Sequence, residues 1–102
     1  MAIIIPFPNP APAPLCGLSQ QECTVLEAEA AGFIHDGLAS DVSVHNGGQY
    51  MCVYDRHGEP YYLGREEGVV YLFDHRETLL AESIQFAAVL QRLESVLAAS
   101  AA

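Results

Sequence analysis

Two hydrophobic periods divide the chain. From Cys23 the apolar residues recur at helical spacing, with Cys23, Leu26, Ala30, Phe33 and Ile34 on one face. Glu22, Glu27 and Glu29 mostly fall off that face. The run Ser19-Gln20-Gln21-Glu22 has the form of a capping box, and Leu18 and Cys23 stand where a hydrophobic staple would close. Gly37 is a natural stop. From Val42 the period changes to two. Four runs, 42–46, 49–55, 59–64 and 69–74, are separated by Asn46-Gly47-Gly48, Asp55-Arg56-His57-Gly58 and Arg65-Glu66-Glu67-Gly68. Such spacing predicts a four-stranded antiparallel meander. Tyr50, Cys52 and Tyr54 face one side of it and Met51 and Val53 the other. Helical spacing then returns: Phe86, Leu90, Leu93 and Leu97 form a seam flanked by Ile84 and Ala87. Asp74 or Ser83 could start this helix. Ser83 is preferred, after an extended stretch over 78–81.

Before the first helix lies an apolar stretch in which Pro6, Pro8, Pro10, Pro12 and Pro14 alternate. Proline fixes φ and donates no amide hydrogen, so residues 1–18 are expected to form an extended, polyproline-like arm. Residues 19–102 then make one α+β domain: helix, four-stranded antiparallel meander, and a C-terminal amphipathic helix packed on the sheet. Ala2–Ile5 could still add as an edge strand to this sheet or to a neighbouring subunit's, which leaves a homodimer open.

Charge narrows the choice of partner. Thirteen Asp and Glu face four arginines and no lysine, for a formal net charge of −9 over 102 residues. Such a field repels phosphate backbones and anionic membranes, so neither nucleic acid nor a membrane is an expected partner. It steers basic proteins inward. No apolar run is long enough to cross a bilayer. The proline-broken N-terminus lacks the basic start of a signal peptide. Three cysteines without paired spacing suit a reducing compartment, so a cytoplasmic location is expected.

Without lysine there is no P-loop, no kinase phosphate lysine and no Schiff base. Gly17-Leu18-Ser19-Gln20-Gln21 lacks the last glycine of a nucleophile elbow. Asp55 with His57, and Asp74 with His75, could offer metal ligands. Cys52, His57 and Asp55 could offer a catalytic set. Both read better as turn residues and a buried thiol. No enzyme activity, cofactor or metal is expected.

From about Tyr50 to Leu97 the chain resembles the SUKH superfamily of immunity proteins. The residues that carry the likeness are 54–63 (YDRHGEPYYL), 68–75 (GVVYLFDH), 80–86 (LAESIQF) and 89–93 (VLQRL). They follow that family's glycine-turn hairpin, its Gly-x-Val-Tyr strand and its closing Ala-x-Ser-Phe-x-x-Phe-Leu helix start. Here Ile84 stands for the first Phe, and Phe86 comes one residue early. The resemblance implies a bacterial or phage protein that binds and neutralises a toxin. The expected function is therefore an acidic inhibitor or immunity-type module for a basic protein. An acidic export chaperone for an extended client and a small enzyme or regulatory ligand-binding domain are the alternatives. The expected binding edge is Tyr61 and Tyr62 as aromatic anchors, beside Arg65, Glu66, Glu67 and Asp74. Asp55 and Glu59 are expected to protrude nearby.

Overall fold

Ser19 starts the fold as its sequence predicts. In the computed structural model, which describes residues 16–45 and 49–101, helix α1 spans Gln20–His35 with Ser19 as its N-cap. The Glu22 amide donates to Ser19 Oγ (3.1 Å), and the Ser19 amide donates to Glu22 Oε1 (2.9 Å). Both arms of the capping box are thus closed. Cys23, Leu26, Ala30 and Phe33 form the buried stripe, and Ile34 lies outside it, on the exposed side. Leu18 is only 7% exposed and belongs to the core. The Gly17 amide donates to the Arg65 carbonyl (2.9 Å). Gly17 and Leu18, assigned above to the arm, are therefore part of the folded domain. Cys16 is exposed; residues 1–15 of the expected arm and the Asn46-Gly47-Gly48 turn lie outside the described residues.

Five strands follow, not four: β1 Ala39–His45, β2 Tyr50–Asp55, β3 Pro60–Glu66, β4 Val69–Phe73 and β5 Leu79–Ser83. They form one antiparallel sheet in the order β1-β2-β3-β4-β5. The extra strand is the stretch expected to be extended after Asp74. Tight turn chemistry at Asp74 folds it back onto β4. A local irregularity between Leu72 and Phe73 in that pairing breaks the two-residue alternation of β5, so its apolar pattern carries little strand signal.

Helix α2 spans Phe86–Ala101 and starts three residues beyond Ser83. Ser83 closes the link instead: its Oγ accepts from the Gln85 amide (3.0 Å). The buried stripe is Val89, Leu93 and Leu97, with Phe86, Leu90 and Val96 half-buried along its margins. Relative to the expected seam the helix is rotated, because it must face the sheet and α1 together. Ile84 is 75% exposed and Ala87 is exposed, so neither packs beside it.

Both helices lie on the same face of the sheet, α1 chiefly over β1 and α2 over β4, β5 and part of β2. The core between the layers holds Met51, Val53, Leu63, Val70 and Leu72 from the strands against Leu26, Phe33, Leu93 and Leu97 from the helices. No helix among the described residues is long and apolar enough to cross a membrane.

Candidate functional site

Because side chains alternate along a strand, filling one face with core leaves every second residue on the other. The registers place these residues in cross-strand rows. His45, Tyr50, Gly64, Tyr71 and Glu82 form one row. Ser43, Cys52, Tyr62 and Phe73 form the next. No described helix covers this face. His45 stacks on Tyr50 with ring centroids 4.8 Å apart and planes at 4°. Tyr50 meets Tyr62 edge-on at 6.2 Å, and Tyr71 lies beside Phe73 at 6.0 Å. These offset and edge contacts are the arrangements that aromatic quadrupoles favour.

Gly64 interrupts the ring of aromatics. A Cβ there would come within 3.3 Å of the Tyr50 Cβ, so glycine leaves room for Tyr50 and a low floor between Tyr50 and Tyr71. Above that floor is an open groove of about 470 Å³ bounded by Tyr50, Tyr62, Tyr71 and Phe73, with Gln49, Glu66, His75 and Glu77 at its rim. Burial pushes the Tyr62 hydroxyl pKa up. The neighbouring Cys52, Tyr54 and Tyr50 and the Glu77 carboxylate act in the same direction.

Two loops with the same wiring frame the sheet. At the β2–β3 turn the Asp55 amide donates to the Glu59 carbonyl (2.9 Å) and the Gly58 amide to the Asp55 carbonyl (2.9 Å). Asp55 Oδ1 accepts from the amides of His57 (2.8 Å) and Glu59 (3.0 Å). Asp74 repeats each bond at the β4–β5 turn. Its amide donates to the Thr78 carbonyl (3.1 Å) and the Glu77 amide donates to the Asp74 carbonyl (2.9 Å). Its Oδ1 accepts from the amides of Arg76 and Thr78, both at 2.9 Å. The left-handed position is Gly58 (φ 83°) in the first loop and Glu77 (φ 63°) in the second. The β3–β4 hairpin turns through Glu67 (φ 53°) and Gly68 (φ 82°), the two positive φ values of a type I′ turn.

The residues expected at the binding edge divide between the two faces. Tyr61 is 7% exposed and sits in the core, because it alternates with Tyr62 across the sheet. Arg65 is also on the helix side. Its guanidinium forms a two-pronged pair with Glu22, with Nη2 donating to Oε2 at 2.6 Å and Nη1 to Oε1. Neither residue is the exposed contact that the sequence suggests. Burial works to raise the Glu22 pKa. The hydrogen bonds from Arg65 and the Ser19 amide, with the Arg65 charge, outweigh it and hold the carboxyl below its ordinary value. Asp55 does not protrude either. It is 3% exposed, and Oδ2 accepts from Ser100 Oγ (3.0 Å), tying the turn to the end of α2. Asp74 is half-buried and holds its own turn. Tyr62 and Glu66 border the groove, Glu67 is exposed at the hairpin tip, and Glu59 is half-buried.

The groove residues missed by sequence reasoning include Tyr50, Tyr71, Phe73 and Glu77. The alternation of Tyr50, Cys52 and Tyr54 pointed to their face. Only the cross-strand register shows that Tyr62 and Phe73 continue one row, and Gly64 and Tyr71 another.

The candidate metal and nucleophile sets do not assemble. His75 Nε2 pairs with Glu59 Oε2 (2.8 Å), not with Asp74. Cys52 lies on the open face while Asp55 faces the helices, and burial pushes the Cys52 thiol pKa up. Among the described residues no three His, Cys, Asp or Glu side chains gather as a metal ion requires. No family model, curated protein or solved structure matches the chain.

Proposed function

We propose that this chain is a small acidic binding module that holds a basic partner protein on the helix-free face of its sheet and thereby inhibits it. The observation that carries this reading is the group of Tyr50, Tyr62, Tyr71 and Phe73, over which no described helix packs, with Glu66, Glu77 and Glu82 around it. Tyrosines of this kind give large contact area at low entropic cost and leave a polar tip for hydrogen bonding. A contiguous aromatic face that no described element covers is the usual mark of an interaction surface. The acidic surroundings and the net charge of −9 choose the sign of the partner. The resemblance of 50–97 to SUKH immunity proteins supports neutralisation as the outcome.

Affinity capture from the native host tests the proposal, using the wild-type chain beside the double variant Tyr62→Ser and Tyr71→Ser. A basic protein held by the wild type and lost by the folded variant is the expected result. Equal capture by both would remove this face from the interface. Self-association that depends on these tyrosines would replace the basic partner with a second copy of the chain.

A further inference from the structure

The floor at Gly64 has a shape and charge that single out one kind of side chain. Strands β2 and β4 flank β3, so the backbones bearing Tyr50 and Tyr71 stand about 9–10 Å apart across Gly64. A flat group held between two rings needs about 7–8 Å from ring to ring. Tyr50 and Tyr71 therefore flank the Gly64 floor, and the strand spacing leaves room for one planar side chain in the groove between them. Glu66 and Glu77 stand at its rim, and Glu82 is the cross-strand neighbour of Tyr71. Among the described residues Arg65 is the only arginine bordering the groove, and its guanidinium is turned away, 1% exposed, against Glu22. The described residues of the site thus offer ring faces and carboxylates with no permanent cation turned into it.

We infer that the groove over Gly64 is a receptor for a single arginine side chain of the partner, its guanidinium lying between Tyr50 and Tyr71 and its edge N–H groups donating to Glu77 or Glu66. The inference rests on the proposed binding face and names what that face reads. Guanidinium is planar, weakly hydrated and always charged. It stacks on aromatic faces and meets carboxylates with a fork of donors, whereas an ammonium is a compact, strongly hydrated point charge. The backbone agrees with this role for Glu77. It occupies a left-handed position that the identically wired first loop gives to Gly58, so a carboxylate is kept where glycine would fit with less strain.

The test uses the full chain, labelled for magnetic resonance and titrated with acetyl-Gly-Arg-Gly-amide. The same peptide with citrulline, a neutral isostere, and with lysine serve as the other probes. The expected result is a saturable shift of the Gly64 amide and of the Tyr50 and Tyr71 ring signals with arginine. Citrulline should have no effect, and lysine should bind several-fold more weakly. Tyr71→Ala should weaken the arginine interaction by about tenfold. Glu77→Gln, which keeps the loop wiring, should weaken it several-fold. Equal effects of arginine and citrulline, lysine binding as tight as arginine, or shifts spread over the acidic surface and absent at Gly64 would each overturn the inference. Partner capture that still depends on Tyr62 and Tyr71 while the arginine peptide is inert would overturn the arginine site and leave the binding face standing.

Discussion

Glu67 and Glu77 hold backbone conformations that asparagine or glycine adopts with less strain. A left-handed residue with a Cβ costs roughly 1–2 kcal/mol, part of which glycine gives back in unfolded-state entropy. Glu67→Asn and Glu77→Gly are each expected to raise stability by about 0.5–1 kcal/mol, read from the urea midpoint. Glu77→Gly should do so while weakening the arginine site. Two other acids act through their protonation. Burial works to raise the Asp55 pKa, and the amides of Glu59 and His57 with Ser100 outweigh it, so it is lowered, as it is for Glu22. A carboxylate with a depressed folded pKa stabilises the fold fully above its unfolded value, here about 4.5 for Glu22 and 3.8 for Asp55. That stability drains as pH falls through the lower folded value. Urea midpoints should therefore drop below about pH 4, and the drop should shrink in Glu22→Gln and Asp55→Asn, which are weaker at neutral pH from the outset. An unchanged acid profile in both variants would remove these two carboxyls as its source.

At the level of elements, legibility followed the strength of each local signal. The start of helix α1 was legible to the residue because a complete capping box fixes it. The hairpins were legible because glycine-bearing turns punctuate runs of clear period two. Strand β5 was not, since a five-residue edge strand with an irregular register has no clean alternation. The face of α2 was legible except for its centre: at about 100° per residue Phe86, Val89, Leu90, Leu93, Val96 and Leu97 share one arc of about 120°, and the sheet with α1 buries Val89, Leu93 and Leu97 most deeply within it. Leu93→Ala and Leu97→Ala should each cost about 2–5 kcal/mol, as buried leucine truncations do. Ile84→Ala should stay within about 0.5 kcal/mol, as exposed substitutions do. Denaturation of the three variants checks the stripe, and a large loss at Ile84 with none at Leu93 would reverse it.

For the whole molecule, the sequence showed the sign of the field and the alternation of tyrosines, but not which face the helices would cover. That choice decided that Tyr62 borders the groove and Tyr61 fills the core. It also turned Arg65 from a surface contact into an internal ion pair. The acidic rim makes association with a basic partner salt-dependent, since exposed charges are screened beyond about 8 Å at physiological ionic strength. Glu66→Gln with Glu67→Gln should slow association more than it speeds dissociation, measured by stopped-flow mixing once the partner is in hand. Salt-independent association would place the rim outside the interface. The order β1-β2-β3-β4-β5 has a further consequence in time. Every strand pairs with its neighbour in sequence, so the sheet can zip up from local hairpins with little loop closure. Other ties join distant parts of the chain, among them Glu22 to Arg65 across 43 residues and Ser100 to Asp55 across 45. These ties can form only after the sheet exists. Ser100→Ala should therefore leave the folding rate nearly untouched and accelerate unfolding, which makes the end of α2 the clasp that sets how long the folded chain survives.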